Sequence, residues 1–266
     1  MLSNISIGQY YPGNSVIHKI DPRGKILFVF LFIISLFLID NFMPYAVIAL
    51  GLLSIIKVSK VPLKFIIKGL KPILFIIIFT FLINIFMTRG EVLMRLGPLS
   101  ITREGLIQAS FMAIRLIYLI IGTSLLTLTT SPIALTDGIE HLLNPFKKIG
   151  VPAHELAMMM TIALRFIPTL LEETDKIMKA QKARGADFET GGLIKRAKSL
   201  IPLLVPLFIS AFRRADELAM AMEARCYRGG EGRTRMKQLK LQRHDYIATC
   251  IVFMYFMFIV SCKIIF

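Results

Sequence analysis

The chain has 266 residues, 55% of them hydrophobic and 18% charged, with a formal net charge of +15. The apolar residues are gathered into runs and the basic residues lie between them, which excludes a disordered chain, since disorder requires low hydrophobicity. Several runs approach bilayer length, so an ordinary soluble enzyme is excluded as well. Cys226, Cys250 and Cys262 are too widely spaced for a disulfide framework or a metal box. The class predicted is an all-helical polytopic membrane protein with a large basic part outside the bilayer.

The first twenty-five residues are polar and rich in turn formers, with no charged-then-apolar order of a cleavable leader. Ile26–Ile39 and Phe42–Ile56 follow as apolar runs divided by Asp40, Asn41 and Pro44. They are either a hairpin of two short spans or one long kinked helix. Charge decides. Lys57, Lys60, Lys64, Lys68 and Lys71 form a basic connector, and Lys19, Arg23 and Lys25 a basic leading flank. The positive-inside rule puts both in the cytoplasm, which requires an even number of crossings between them and selects the hairpin. Pro72–Met87 makes the third span, Arg89–Arg103 a mixed-charge outer loop, and Gly105–Thr130 the fourth span. Tyr246–Phe266 makes the last. Residues 1–130 are thus expected to be a membrane domain of four spans and 246–266 a fifth, with the N-terminus inside the cell and the C-terminus outside. Asn84, in the third span, is expected to bond a neighbouring helix. Arg115, in the fourth, has a functional reading and a structural one, as a paired or snorkelling charge.

Residues 131–245 are expected to form a cytoplasmic coupling domain of one short and two long amphipathic helices. Ser131 is a candidate N-cap for Pro132–Leu143, with Pro132 at the first helical position; Asn144 and Pro145 end that helix. The first long helix starts near Pro152 and runs to Arg184, ~50 Å at 1.5 Å per residue, with a bend expected at Pro168. The second begins at Leu200–Phe212 and is broken by Gly229 and Gly230. Ser199–Phe212 is too short to cross the hydrocarbon and contains Pro202 and Pro206, so it is expected to be buried or interfacial. A shift of 41 residues aligns Asp175 with Asp216, Ala180 with Ala221, Ala183 with Ala224 and Arg184 with Arg225. Each long helix therefore ends in Ala-Arg and then a small residue, Gly185 or Cys226. Glycine suits the left-handed position that closes a helix, and arginine complements the negative end of the dipole while presenting a five-donor fork to a partner.

With these residues on the page, the chain resembles the transmembrane T components of energy-coupling factor (ECF) transporters over nearly its whole length. Gly8–Lys25 (GQYYPGNSVIHKIDPRGK) is similar to the family's opening segment. KARGAD (Lys182–Asp187) and EARCYRG (Glu223–Gly229) are similar to its two Ala-Arg-Gly signatures. The resemblance implies an importer of vitamins or metal ions, multi-pass in the cell membrane, coupled to two cytoplasmic ATP-binding subunits (EcfA and EcfA' type) and a substrate-binding membrane S component. It implies that Ala183, Arg184 and Gly185 contact one ATP-binding subunit and Ala224, Arg225 and Cys226 the other. Cys226 departs from the pattern, so Gly229 is a candidate to take over its closing turn.

No G-x-x-x-x-G-K-[ST] loop is present, because Gly229-Gly230-Glu231-Gly232 lacks the following lysine. ATP hydrolysis is accordingly expected in partner subunits, with no enzyme activity, cofactor or metal in this chain. His154-Glu155 begins like a zinc-protease motif, but Met158 stands where the second histidine belongs. Met158, Met159, Met160, Leu203, Leu204 and Leu207 are open to two readings, as mutual packing of the long helices or as a platform for the S component. The basic tail (Arg225, Arg228, Arg233, Arg235, Lys237, Lys240 and Arg243) is expected to anchor on anionic lipid rather than nucleic acid, having no interleaved aromatic residues. Two alternatives remain: a membrane enzyme acting on anionic lipid, which would draw on Asp137, Glu140 and His141, and a membrane scaffold without energy coupling.

Overall fold

A computed structural model describes residues 10–39, 41–96, 99–188, 192–230 and 239–265. Its helices in chain order are α1 (Val16–Lys19), α2 (Pro22–Leu38), α3 (Phe42–Ser59), α4 (Leu63–Leu70), α5 (Leu74–Met87), α6 (Arg103–Thr129), α7 (Pro132–Leu143), α8 (Ala153–Ala183), α9 (Leu193–Ser199), α10 (Ile201–Ala224) and α11 (Arg243–Ile265). Three-residue and six-residue 3₁₀ turns, Lys71–Ile73 and Asn144–Ile149, join α4 to α5 and follow α7. The described chain forms two compact units, one within Ile139–Met236 and the other within Gly8–Gly138 together with Lys237–Phe266. Gly8, Asp40, Glu231, Gly232, Arg233, Arg235, Lys237 and Phe266, which the sequence reading used, lie outside the described residues.

In the second unit α2 and α3 are two separate helices rather than one long kinked one. Asp21 caps α2 by accepting from the Arg23 amide at 2.9 Å, and Pro22 supplies the preset first turn. The chain leaves α2 at Ile39 in an extended conformation and re-enters a helix at Phe42. Five helical stretches are long and apolar enough to cross a membrane: Phe42–Ser59, Leu63–Met87, Arg103–Thr129, Ala153–Ala183 and Arg243–Lys263. This differs from the predicted set in one member. α2 has 17 residues, ~25 Å of helix, short of the ~30 Å of hydrocarbon. α8 qualifies by length and composition, though at mean hydropathy 1.2 against 1.8 to 2.3 for the other four. The third span also starts earlier than Pro72, because the lysine-rich connector is helical from Leu63 and the Lys71–Ile73 turn carries it into α5.

The ends of these helices register against one another through polar contacts. Asp245 Oδ1 accepts from the Asp21 amide at 2.8 Å, and Ser35 Oγ meets Tyr255 Oη at 3.4 Å, so α2 and α11 run parallel. The buried Lys25 ammonium donates to Thr129 O and Thr130 Oγ1, both at 3.0 Å, which sets the end of α6 beside the start of α2. The core between them is apolar: Leu36, Ile39, Tyr45, Ile48, Leu52, Ile66, Leu125, Leu128 and Ile259 are all buried. Two glycines permit the closest approaches. A Cβ at Gly122 would lie 2.4 Å from the Phe32 ring, and one at Gly105 would lie 2.9 Å from the Ile85 carbonyl oxygen.

Arg115 has the structural role. Its Nη2 donates to Ile39 O at 2.9 Å, its Nε to Tyr45 Oη at 3.2 Å, and the guanidinium lies 5.4 Å from the Phe37 ring centre. The carbonyl at the open end of α2 has no partner within its own helix, and Arg115 satisfies it. Two expectations are corrected here. Asn84 bonds its own helix, donating to Thr80 O at 2.8 Å; one turn back along the same helix is the nearest acceptor. The predicted outer loop at Arg89–Arg103 holds an antiparallel hairpin, Val92–Leu96 with Leu99–Thr102, and α6 begins at Arg103 rather than Gly105. Three bonds fasten its base, Thr102 Oγ1 to Thr88 O, the Arg103 amide to Glu91 O, and the Glu91 amide to Glu104 Oε2.

Replacing Arg115 with methionine leaves the Ile39 carbonyl without its donor, a loss of about 1–3 kcal/mol. Thermal melting in detergent should show a lowered midpoint for Arg115→Met and a smaller drop for Tyr45→Phe, which removes one bond only.

Candidate functional site

The first unit is organised around α8 and α10. Glu173 on α8 accepts from Ser210 Oγ and, at 3.4 Å, from Arg214 Nη2. The Arg214 guanidinium also lies 5.7 Å from the Phe166 ring centre, within cation–π range. Further along, Gln181 Nε2 donates to Pro202 O at 3.3 Å. Partners of rising number on α8 have falling numbers on α10, so the two helices run antiparallel. Glu173 and Arg214 are related by the same 41-residue shift as the helix ends. The helices therefore cross where a position meets its own equivalent, and Arg184 and Arg225 each lie ~16 Å beyond that point, in opposite directions. These crossing residues were not singled out from sequence. The 41-residue alignment was the available signal, since it places an acid opposite a base.

The two ends close in the same way. At the end of α8 the Gly185 amide donates to Lys182 O and the Ala186 amide to Gln181 O, both at 3.0 Å. At the end of α10 the Cys226 amide donates to Glu223 O at 2.8 Å and the Tyr227 amide to Met222 O at 3.0 Å. Every donor and acceptor in the second set is the first set shifted by 41. This is a Schellman closure, which needs a left-handed residue just past the cap. Gly185 has φ +85° and Cys226 φ +55°. The expectation that Gly229 replaces Cys226 is thus overturned: Gly229 has φ +80° but serves a later turn, and the cysteine itself adopts the glycine conformation. Arg184 and Arg225 occupy the cap positions with nearly equal backbone angles, φ −87°, ψ 9° and φ −92°, ψ 14°. Both arginines are exposed, as are Ala183, Gly185, Ala224 and Cys226.

Comparison with known proteins gives the family. The cobalt transport protein family profile (CbiQ) matches residues 13–236. A protein of Thermosediminibacter oceani named energy-coupling factor transporter transmembrane protein EcfT is 64% identical over 247 residues, 93% of each chain. Proteins of the same name from Ruminiclostridium cellulolyticum and Bacillus subtilis are 59% and 53% identical, over 100% of both chains and over 90% of this chain and 91% of the relative. The chain belongs to the cobalt transport protein family, among the transmembrane components of ECF transporters.

In this ECF transmembrane component the methionine–leucine group is not brought together, because the antiparallel crossing sets Met158–Met160 and Leu203–Leu207 on opposite sides of Glu173. Leu203 is buried at 5% exposure, and Met158 and Leu207 are partly covered, but Met159, Met160 and Leu204 are exposed. Ser199–Phe212 is not buried as a whole either: α9 and α10 meet within it, and Val205, Phe208, Ile209 and Phe212 lie open beside Leu204. α9 is a short helix beyond those predicted. α8 runs through Pro168 as one helix. The acid–histidine set of the lipid-enzyme reading is rearranged, since Glu140 Oε1 holds His154 Nδ1 at 3.0 Å. No group of three or more potential metal-binding side chains occurs among the described residues.

A side chain at positive φ costs roughly 1 kcal/mol that glycine does not incur. Cys226→Gly should raise the melting temperature in detergent, and Gly185→Val should lower it by more than the first change raises it.

Proposed function

We propose that this ECF transmembrane component couples ATP hydrolysis in partner subunits to substrate import. Ala183, Arg184 and Gly185 dock on one cytoplasmic ATP-binding subunit, and Ala224, Arg225 and Cys226 on a second. The observation that carries this reading is the pair of exposed arginines on matched helix ends, thrown to opposite sides of one crossing. A guanidinium at a helix end faces outward with a rigid donor fork suited to carboxylates and carbonyls, and two such forks suit two separate sites better than one.

On this reading residues 131–245 are the coupling domain on the cytoplasmic side, along with the N-terminus. α2, α3, α4–α5, α6 and α11 make the five crossings, with α2 as a short span whose far end is closed by Arg115, and α8 stays out of the bilayer. The acidic and basic second half of α8 (Glu172, Glu173, Asp175, Lys176, Lys179 and Lys182) supports that placement, because charged side chains are costly at the bilayer centre. When the ATP-binding subunits approach or separate, both tips move, and the crossing at Glu173 turns the motion into a change of angle between two stiff helices. The exposed Met159 and Met160 with Met158 on α8, and the exposed Leu204 with Leu203 and Leu207 on α10, lie on opposite sides of the crossing and offer two adaptable apolar areas to a substrate-binding S component, the cargo being a vitamin or a metal ion. Methionine suits such a surface because its unbranched chain repacks against different partners.

The test is co-purification of the whole complex after joint expression with the two ATP-binding subunits and an S component. The double variant Arg184→Ala, Arg225→Ala should lose both ATP-binding subunits and all uptake while keeping its own melting temperature. Retained ATP-binding subunits together with full uptake would disprove the proposal.

A further inference from the structure

The second unit carries an exposed group of charges with no internal partner. Lys57, Lys60, Lys64, Lys68 and Lys71 are all exposed, and no aspartate or glutamate occurs in the sequence between Asp40 and Glu91. None of the five makes an ion pair or a side-chain hydrogen bond among the described residues. Lys64, Lys68 and Lys71 follow one another at intervals of four and three residues, which sets them along one face of α4 and the 3₁₀ turn after it. The core-facing side of α4 is a different one: Ile66 is buried, and a Cβ at Gly69 would lie 3.2 Å from Ser124 Oγ on α6. Leu63 and Ile67 border the lysines and are exposed too. The grouping works against the fold. Like charges four residues apart oppose a helix, and Lys60 holds φ 56°, ψ 22°, a left-handed conformation suited to glycine or asparagine. Ser59 and Val61 are buried on either side of it, so the turn presents Lys60 outward. Orienting the chain in a membrane requires only that lysines be numerous on one side. It does not require them unpaired along one face or held at positive φ.

We propose that these five lysines form a binding site for anionic phospholipid headgroups, an inference that rests on the crossing assigned above to α4–α5 and not on the docking of the helix ends. The helical stretch Leu63–Met87 has 25 residues, ~37 Å at 1.5 Å per residue, against ~30 Å of hydrocarbon. Its surplus, about a turn and a half, projects into the headgroup layer, and α4 is the part that carries lysines. A cluster of this size on an amphipathic helix beside a span is the arrangement that recognises anionic lipid. The lysine stems lie along the helix and their ammonium groups reach the phosphates, while Leu63 and Ile67 meet the upper part of the acyl chains. An acidic protein surface would complement the ammonium groups but not the apolar side chains next to them; a lipid supplies both contacts in one molecule. The site selects a headgroup with net negative charge, because a zwitterionic one brings a cation that the lysines repel.

Fluorescence quenching in vesicles tests this. The chain contains no tryptophan, so a single introduced one reports on its own surroundings. It is placed by Ile67→Trp, beside the lysines, or by Phe79→Trp, exposed on α5, in the full chain reconstituted in phosphatidylcholine vesicles. Phospholipids brominated on the acyl chain quench it on contact. At position 67, brominated phosphatidylglycerol should reach half-maximal quenching at about a tenfold lower mole fraction than brominated phosphatidylcholine. At position 79 the two lipids should quench alike. Salt at ~1 M, which shortens the screening length to ~3 Å, should remove most of the difference at position 67. Changing Lys57, Lys60, Lys64, Lys68 and Lys71 together to glutamine should abolish the difference, and changing the same five to arginine should preserve it. A melting curve confirms that each variant is folded. Equal quenching by both lipids at position 67, with both quenching at position 79, overturns the site while leaving the crossing intact. So does a glutamine variant that keeps its lipid preference but loses a co-purifying subunit, which would give the lysines to a protein partner. If neither lipid quenches at position 79, the crossing reading fails and the site with it.

Discussion

The contact between Glu173 and Arg214 organises the first unit. An isolated, half-exposed ion pair contributes little to stability, about 0–1 kcal/mol, so its importance is geometric. It brings together two positions that are equivalent in the internal repeat, and the helices that carry them run antiparallel through that point. Equal lengths of helix then lead away to Arg184 and Arg225. With parallel helices the same residues would present two arginines side by side, a surface for one binding site. The crossing converts a duplicated helix end into two separated ends, and the rest of the functional argument depends on that separation.

The ends themselves show what is held constant and what is released. Both bonds of the Schellman closure are retained, even where the residue in the left-handed position is Cys226 rather than glycine and the conformation costs about 1 kcal/mol. A turn maintained against its own side-chain preference is one whose direction matters, since the cap backbone aims the arginine. Charge around the turn inverts, from Lys182 and Asp187 at one end to Glu223 and Arg228 at the other, while shape and the guanidinium are common to both.

Much of this was legible in the sequence because it lies in local chemistry. Ala-Arg followed by a small residue marks a helix end, Ser131 before Pro132 marks a start, and lysines flanking apolar runs select a hairpin over a kinked rod. What was missed depends on contacts between distant residues or on competition for a donor. Asn84 has a carbonyl one turn away within its own helix, and no pattern in the sequence says that this acceptor outcompetes a neighbouring helix. The Val92–Thr102 hairpin is obscured because a bulge between Val92 and Met94 breaks the alternation that signals a strand. Pro72 looks like a boundary, yet a single 3₁₀ turn carries the helix past it. Arg115 was read correctly as open between two roles, and only the position of the Ile39 carbonyl decides.

The unsettled surface in the first unit is apolar. Leu204, Val205, Phe208, Ile209 and Phe212 on α10 and Met159 and Met160 on α8 stand open, on the same two helices that carry the charged tips. Water is a poor environment for such apolar areas, whereas an arginine fork and alternating charges are at ease in it. Each long helix thus has one apolar half and one charged half, and the antiparallel crossing sets the charged tip of each helix on the same side as the apolar half of the other. On the docking reading proposed above, a displacement imposed at a charged tip would be carried along its own helix to the apolar half, since α8 and α10 are each unbroken across the crossing. On that reading a change that loosens the Glu173 crossing should separate the motions of the two helix ends before it unfolds either helix.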